Sequence, residues 1–203
     1  NSVEFARDLE NFVMVDEHFC EDGVAIIPWL VGEEHKKLNK LDCKYMFGHF
    51  ELPYFKMNAM VEMPDHGGGI NDKMLSGHEL VFSGHFHKRQ YKNNIHYIGN
   101  AFPHNYADAQ DNERGAMFLE WDGEPVYVNW PECPKYVTMG LRQLLEAPEQ
   151  YLDAQTHARV KLDVNISYEE ANFIRETFAE KFNVREIQLL PVKEEEEAFE
   201  GGE

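Results

Sequence analysis

The sequence predicts a mixed α/β fold of the α+β kind, and three patterns support that prediction. Short apolar runs at 23–30 and 80–82 have the length and composition of buried β-strands. Two further segments, 115–121 and 124–130, flank an Asp-Gly pair that is typical of a β-hairpin. The last third of the chain has the pattern of a strand, a helix and a strand in succession.

Composition narrows what the chain can do. Its 203 residues, 43% of them hydrophobic, suffice for one good core or for one domain with a smaller second one. No apolar stretch reaches the length of a membrane span. Three widely spaced cysteines suit a reducing compartment and predict neither a disulfide framework nor a structural zinc site. The net charge of -18 opposes simple DNA binding, but not an enzyme whose bound cations face the phosphates.

The N-terminal part predicts one helix and the first strands. Apolar residues recur at helical spacing over 3–12, which predicts a short helix, and 13–15 is a possible strand. The continuous apolar run at 23–30 predicts a strand buried on both faces, with Pro28 ending its regular pairing.

The next elements alternate short strands with irregular chain. Strands are predicted at 44–47, 80–82 and 96–98. The segment 52–79, rich in proline and glycine, is expected to be irregular, and a loop of that length is usually functional or mobile. Residues 99–114 are polar and also predict irregular structure, ahead of the antiparallel hairpin.

Pro131 and Pro134 predict a domain boundary. The predicted domains are therefore 1–133 and 134–193, followed by an acidic flexible tail over 194–203.

The second predicted domain contains the strand-helix-strand pattern. Strict alternation over 160–166 predicts a half-buried strand, and 185–192 predicts its partner. Between them, Ser167 and Glu170 fit a helix capping box, and Asn183 can end the helix. One apolar stripe of this helix is formed by Ile174, Phe178 and Phe182.

Two histidine motifs are the strongest signals of function. Gly48-His49 closes the apolar run at 45–47, and Gly84-His85-Phe86-His87 closes the run at 80–82. Imidazole is a common ligand of transition metals, and two histidines one residue apart on an extended segment project to the same side. Because such histidines can converge at the carboxyl ends of neighbouring strands, we predict a metal site formed by His49, His85 and His87.

The other histidines lack this context. Those expected on the surface are His18, His35, His66, His78 and His157. His96 and His104 are intermediate, because they flank the segment that follows the second motif.

The ordered motifs resemble the last two motifs of calcineurin-like metallophosphoesterases. Segments 97–100 and 114–118 resemble the nuclease branch, which includes bacterial SbcD and the phage recombination endonuclease subunit, and 26–29 with 48–51 resemble the phage members. The resemblance covers residues 1 to about 130 well. It implies part of a layered β-sandwich with flanking helices, and the strand-helix-strand unit stands where the family has its DNA-capping domain.

The resemblance implies a DNA exonuclease or endonuclease subunit of an SbcCD-type recombination and repair complex. In that family His49 and His85 match ligands of one divalent ion and His87 matches a ligand of the other, with Mn²⁺ the expected metal. The implied partners are DNA, an SbcC-type ATPase and a second copy of the chain. The implied location is the cytoplasm of a bacterial or phage-infected cell.

The sequence departs from the family at its earlier motifs. Asp-x-His, Gly-Asp-x-x-Asp and Gly-Asn-His-Asp do not occur in it. We therefore expect the carboxyl-terminal part of a phosphoesterase domain, without certain catalytic residues, that binds metal weakly and hydrolyses little by itself. The alternatives are a phosphomonoesterase or cyclic-nucleotide phosphodiesterase of the same superfamily, and a non-catalytic module that binds a partner.

A small basic segment follows the second motif. Lys88, Arg89 and Lys92 stand out in an acidic chain and are candidates for contacting the DNA backbone, although a solvated turn explains them equally well. Weaker candidates are Tyr54, Phe55, Lys56, Asn105, Tyr106 and Arg114.

Overall fold

The computed structural model describes residues 4–58 and 61–191, which form two compact units. The first unit comprises the described residues up to Ala101 together with Glu113–Trp130, and the second comprises Phe102–Asn112 and the residues from Pro131 onward. Both strands and helices are present, so the fold is mixed α/β, as the sequence predicts. The predicted tail at 194–203 lies outside the described residues.

A six-stranded sheet organises the first unit. Its strands are β1 (Phe19–Glu21), β2 (Val24–Ile26), β3 (Tyr45–Gly48), β4 (Leu80–Ser83), β5 (Gln90–Lys92) and β6 (Ile95–Tyr97). Their order across the sheet is β1-β2-β3-β4-β6-β5. The four inner strands pair in parallel, and β1 and β5 pair antiparallel at the two edges.

The sheet has a core on each face. One core combines sheet residues with the irregular segments that follow the strands, and its sheet residues are Ala25, Met46, Val81, Ile95 and Tyr97. The opposite face contributes Tyr45, Leu80 and Phe82. All four residues of β4 are buried, which explains the continuous apolar run at 80–82.

A two-stranded antiparallel sheet covers the second face. It consists of β7 (Gly115–Phe118) and β8 (Val126–Asn129), so the predicted hairpin is confirmed. Met117 and the following Leu119 pack against the six-stranded sheet. The turn differs from the prediction, because pairing stops at Phe118 and Val126 and leaves a longer loop. Asp122 is held in that loop by the Tyr45 hydroxyl, which accepts its N–H at 2.7 Å.

His96 lies on the face of β6 that this hairpin covers, and its burial makes stability depend on pH. Its Nδ1 is 2.8 Å from the Tyr127 hydroxyl. Desolvation lowers the pKa of His96, and the charge of Glu124 opposes that shift only in part. Because the unfolded chain takes up this proton first, stability is lost as the pH falls below about 6.5 and is retained above it.

We expect the urea midpoint to be lower at about pH 5.5 than at about pH 7.5, and His96→Gln to reduce that difference. His49 contributes a dependence of the same sign, because its pKa is also lowered, so the difference is reduced rather than abolished. Equal pH dependence of the two proteins in fluorescence-monitored urea unfolding would contradict this assignment.

The N-terminal predictions are wrong in two places. Only Glu4–Ala6 is helical, as a 3₁₀ turn, and no strand forms at 13–15. In the predicted stripe Ala6 is buried, but Phe5, Leu9 and Phe12 are 77%, 54% and 46% exposed. Little of the stripe therefore packs on a core, and an isolated helix of this length is marginal in water. The run at 23–30 forms only the three-residue β2, whose Ile26 is 40% exposed and joins neither core.

The second unit contains a three-stranded parallel sheet in the order β11-β10-β9. Its elements are β9 (Lys135–Gly140), α1 (Leu141–Glu146), α2 (Pro148–Tyr151), β10 (Thr156–Leu162), α3 (Tyr168–Phe182) and β11 (Glu186–Pro191). Ser167 and Glu170 form the predicted capping box, and Asn183 ends α3 with a left-handed φ of 51°. The predicted stripe of α3 packs on the sheet core. In the described part of the chain, no helix has the combined length and apolarity that crossing a bilayer requires.

Strand β9 and helices α1 and α2 were not predicted, and β10 begins earlier than the predicted strand at 160–166. The strand begins at Thr156 and ends at Leu162, because β10 is the central strand and its register is fixed by pairing on both sides. Val164 and Ile166 follow the strand, yet they still pack on this core. All three cysteines are free thiols.

Candidate metal centre

The two glycine-histidine motifs lie side by side at one end of the six-stranded sheet. Gly48 pairs with Ser83 in the register of β3 and β4, and the Gly84 N–H donates to the Gly48 carbonyl at 3.1 Å. Because the strands are parallel, the residues that follow them emerge at the same edge. The ring centroids of His49 and His85 are 5.1 Å apart, with the rings edge to face at 87°.

Each of the two glycines is required by a close contact with a ring. A Cβ at position 48 would lie 2.3 Å from Cζ of Phe50, whose residue is 2% exposed in the core. A Cβ at position 84 would lie 2.8 Å from Nδ1 of His49. Gly48 therefore makes room for a core side chain, whereas Gly84 makes room for the candidate ligand itself.

Trp29 and Glu51 complete the surroundings of the pair. The Trp29 ring centroid lies 5.7 Å from that of His49 and 5.4 Å from that of His85. Oε1 of Glu51 is 3.7 Å from Nε2 of His85. Sequence reasoning did not single out either residue, although Glu51 follows His49 at the two-residue spacing that keeps side chains on one side of an extended chain.

Electrostatics favours the neutral form of His49. Its side chain reaches solvent, yet desolvation lowers its pKa, and repulsion from His85 lowers it further. A neutral imidazole offers a nitrogen lone pair, which is the form that binds a metal. The Gly84 cradle and this lone pair together fit a ligand role for His49.

His87 does not join the pair in the way that an extended segment predicts. The strand ends at Ser83, and His85 has a left-handed φ of 76°, so the two histidines do not project from a regular strand. The backbone of His87 is instead fixed on other segments: its N–H donates to the Met57 carbonyl at 3.0 Å, and its carbonyl accepts from the Asn100 N–H at 3.0 Å. Its role as a metal ligand stays a prediction.

The ligand types present fit a transition metal, although the side chains do not converge on one point. Two imidazoles and one carboxylate are ligands that manganese, iron and zinc accept. Within residues 4–58 and 61–191, no three His, Cys, Asp or Glu side chains are placed to hold an ion together. Binding at this end of the sheet therefore requires His49, His85 and Glu51 to turn toward one another, which their partial exposure to solvent allows.

The basic candidates are engaged by other side chains. The Arg89 guanidinium lies 4.8 Å from the Tyr127 ring centroid and donates to Asn129 Oδ1 at 2.5 Å. Nζ of Lys92 lies 5.9 Å from the ring centroid of Phe55. The segment is less loop-like than expected, because Gln90–Lys92 forms the edge strand β5. Contacts of Lys88, Arg89 and Lys92 with DNA stay predictions.

Among the weaker candidates, Phe55 and Arg114 are buried, at 3% and 0% exposure. Tyr106 packs edge to face on Tyr136, with a ring-centroid distance of 5.0 Å.

Two histidines expected on the surface are buried instead. His35 is 7% exposed, and its Nδ1 lies 2.9 Å from the Gly32 carbonyl. His78 is 6% exposed, and its Nδ1 lies 2.9 Å from the Cys43 carbonyl. A backbone acceptor satisfies one nitrogen in each case, which is how a core tolerates an imidazole. For His35 a signal existed, because Leu38, three residues later in the 3₁₀ helix Glu34–Lys40, is also buried.

No protein-family model matches this sequence, and a comparison with curated proteins gives no significant match. The fold and the site therefore define the class of protein only as mixed α/β, with paired histidines at the carboxyl ends of parallel strands.

Proposed function

We propose that this protein is a metal-dependent phosphoesterase of the calcineurin-like kind, acting on DNA as the nuclease subunit of an SbcCD-type complex. The observation that supports it best is the contact between His49 and His85 at the ends of neighbouring parallel strands. The resemblance of the two ordered motifs to the nuclease branch adds the substrate class, DNA, and the partner, an SbcC-type ATPase.

In this proposal the residues of the chain hold the divalent ion and orient the substrate. His49 and His85 offer imidazole nitrogens to one divalent ion, and Glu51 supplies negative charge beside His85. A bound divalent ion would polarise a phosphoryl oxygen and lower the pKa of a coordinated water. Trp29 packs against both rings. His87, Lys88, Arg89 and Lys92 are then candidates for a second ion and for the DNA backbone.

The small negative charge of these residues limits how tightly they can bind two divalent ions. Neutral imidazoles do not offset the charge of two divalent ions, and Glu51 is a single carboxylate. We therefore propose that this polypeptide alone binds Mn²⁺ weakly and hydrolyses DNA slowly. A non-catalytic module that binds a partner is the second candidate function, favoured by the lack of a three-ligand cluster among the described residues.

We expect calorimetric titration with Mn²⁺ to show saturable binding that is weakened at least about tenfold in His49→Ala and in His85→Ala, since even residues that only orient ligands cost that much. The matched control is His18→Ala, which removes an exposed histidine that is away from this pair in the sequence and has no role in the proposal. A parallel assay follows the cleavage of single-stranded DNA ends and of a small phosphate monoester in Mn²⁺.

Three outcomes matter. Binding lost in both site variants but kept in the control supports the metal centre, and preference for DNA over the monoester supports the nuclease. Identical weak heats in all four proteins would refute the metal centre and favour the partner-binding module.

A further inference from the structure

A cavity of about 300 Å³ opens beside the candidate metal centre. Trp29, His49 and Glu51 line it, so it is continuous with the residues that surround the histidine pair. Its far side is formed by the segment 63–70, including three successive glycines whose missing side chains leave open space. The volume is at the lower end of the range for small-molecule sites.

The charged groups of this cavity are carboxylates, which accept hydrogen bonds. Glu51 and Asp65 contribute carboxylates, and none of the described residues that line it is a lysine or an arginine. A phosphate would be repelled by these carboxylates, in a chain whose net charge is already -18. The lining therefore favours an uncharged or cationic occupant that donates hydrogen bonds to these carboxylates.

His35 adds a buried acceptor to this lining. Its Nδ1 faces the Gly32 carbonyl at 2.9 Å, so Nδ1 has the proton and Nε2 has the lone pair. Nε2 is buried and has no hydrogen-bond partner in the structure, and the residue is 7% exposed. A buried acceptor without a partner costs free energy, so a donor on a bound molecule would be favoured there once a small movement of the lining exposes Nε2.

The apolar part of the lining suits a flat ring. Trp29 is 52% exposed although it lies against two imidazoles, and it offers aromatic surface to the cavity. Phe50, Met63 and Ile70 contribute further apolar surface. An aromatic ring with amino or ring N–H donors can pack on this apolar surface and also donate hydrogen bonds to the carboxylates.

We propose that this cavity is the subsite for a nucleobase with an exocyclic amino group, such as adenine. This inference rests on the proposed function, because a nucleotide whose base occupies the cavity would direct its phosphate toward the divalent ion that His49 and His85 are proposed to hold, whose charge would offset that of Glu51. Adenine presents an amino donor where thymine presents a carbonyl acceptor. The two carboxylates of the cavity therefore favour adenine over thymine.

The test is calorimetric titration of the protein with 2′-deoxyadenosine and with thymidine, without metal and in the presence of a chelator. Neither probe has a phosphate, so the readout is independent of the metal centre. We expect 2′-deoxyadenosine to bind about tenfold more tightly than thymidine. Trp29→Leu should weaken 2′-deoxyadenosine binding about tenfold, in line with the contribution of base stacking.

Trp121→Leu is the matched control, because Trp121 is similarly exposed at 61% and packs on Tyr45 rather than lining the cavity. A second variant, Asp65→Asn, changes charge with little effect on folding, since Asp65 is exposed and asparagine keeps an oxygen for the Gly67 N–H. Asp65→Asn should reduce the ratio of the affinity for 2′-deoxyadenosine to the affinity for thymidine.

The outcomes separate this inference from the metal centre. Absence of saturable 2′-deoxyadenosine binding, equal affinity for thymidine, or the same loss in Trp29→Leu and Trp121→Leu would each overturn the subsite, even where Mn²⁺ still binds. Nucleoside binding that persists while Mn²⁺ binding fails would refute the metal centre and leave the subsite standing.

Discussion

Gly48→Ala is expected to destabilise the first unit by about 1–3 kcal/mol, the usual cost of overpacking a core. The new methyl group would lie 2.3 Å from Cζ of Phe50, so the ring has to move. The backbone of Phe50 cannot follow easily, because its N–H donates to Ser83 Oγ at 2.8 Å and its carbonyl accepts from the Tyr97 hydroxyl at 2.9 Å. The ring must therefore leave its core position while the chain stays in place.

Tryptophan fluorescence during urea unfolding measures this effect in the correct unit, because all three tryptophans lie in the first unit. Gly77→Ala is the matched control: a Cβ at that position meets no atom within 4 Å, and its φ is not in the left-handed region. A midpoint for Gly48→Ala that equals the control would show that Phe50 does not depend on Gly48.

Elements were predicted correctly where the local pattern of apolar and capping residues matches the burial that the fold gives them. The apolar run at 80–82 is buried on both faces of the sheet, so its composition reports its environment directly. Helix α3 is bounded by chemical signals that act locally, the Ser167–Glu170 capping box and the left-handed Asn183. Neither prediction required knowledge of what the element packs against.

Elements defined by pairing were missed. Strand β5 has three residues, and it exists because Gln90 and Lys92 pair with β6 across a turn at Asn93-Asn94. That Asn-Asn pair, with a left-handed φ of 54° at Asn93, was a usable hairpin signal. The opposite error occurred over 3–12: the apolar residues have helical spacing, but Phe5, Leu9 and Phe12 stay exposed and do not pack on a core.

The part of the candidate site that could be predicted is the proximity of His49 and His85, because it follows from the pairing of parallel strands. His49 and His85 follow adjacent strands, and the register that aligns Gly48 with Ser83 brings them together. The left-handed backbone of His85 is not evident in the sequence, so the geometry of His87 could not be derived from His-x-His spacing. Trp29 also follows a parallel strand, β2, but its packing on both rings was not predicted. His35 reaches the neighbouring cavity only through tertiary folding, which periodicity does not encode.

Gly84→Ala is expected to weaken Mn²⁺ binding about as much as removing His49, by at least about tenfold, while leaving the protein folded. The methyl group would lie 2.8 Å from Nδ1 and 3.2 Å from Cε1 of His49, so it occupies the position of the ring. His49 is a solvent-exposed side chain and can rotate away, which spares the core but removes the imidazole from its place beside His85. Gly84 itself has no left-handed φ, so alanine adds no backbone strain.

Gly84→Ala changes the position of the His49 ring but keeps every candidate ligand in the chain. It therefore tests whether metal binding depends on where His49 lies and not only on its imidazole being present. Calorimetry with Mn²⁺ should show a loss close to that of His49→Ala, and urea unfolding should show a midpoint close to that of Gly77→Ala. If Gly84→Ala instead binds Mn²⁺ like the unmodified protein, the observed place of His49 is irrelevant to the metal. The glycine of the second motif would then need another explanation, and the pairing of His49 with His85 would no longer support a phosphoesterase.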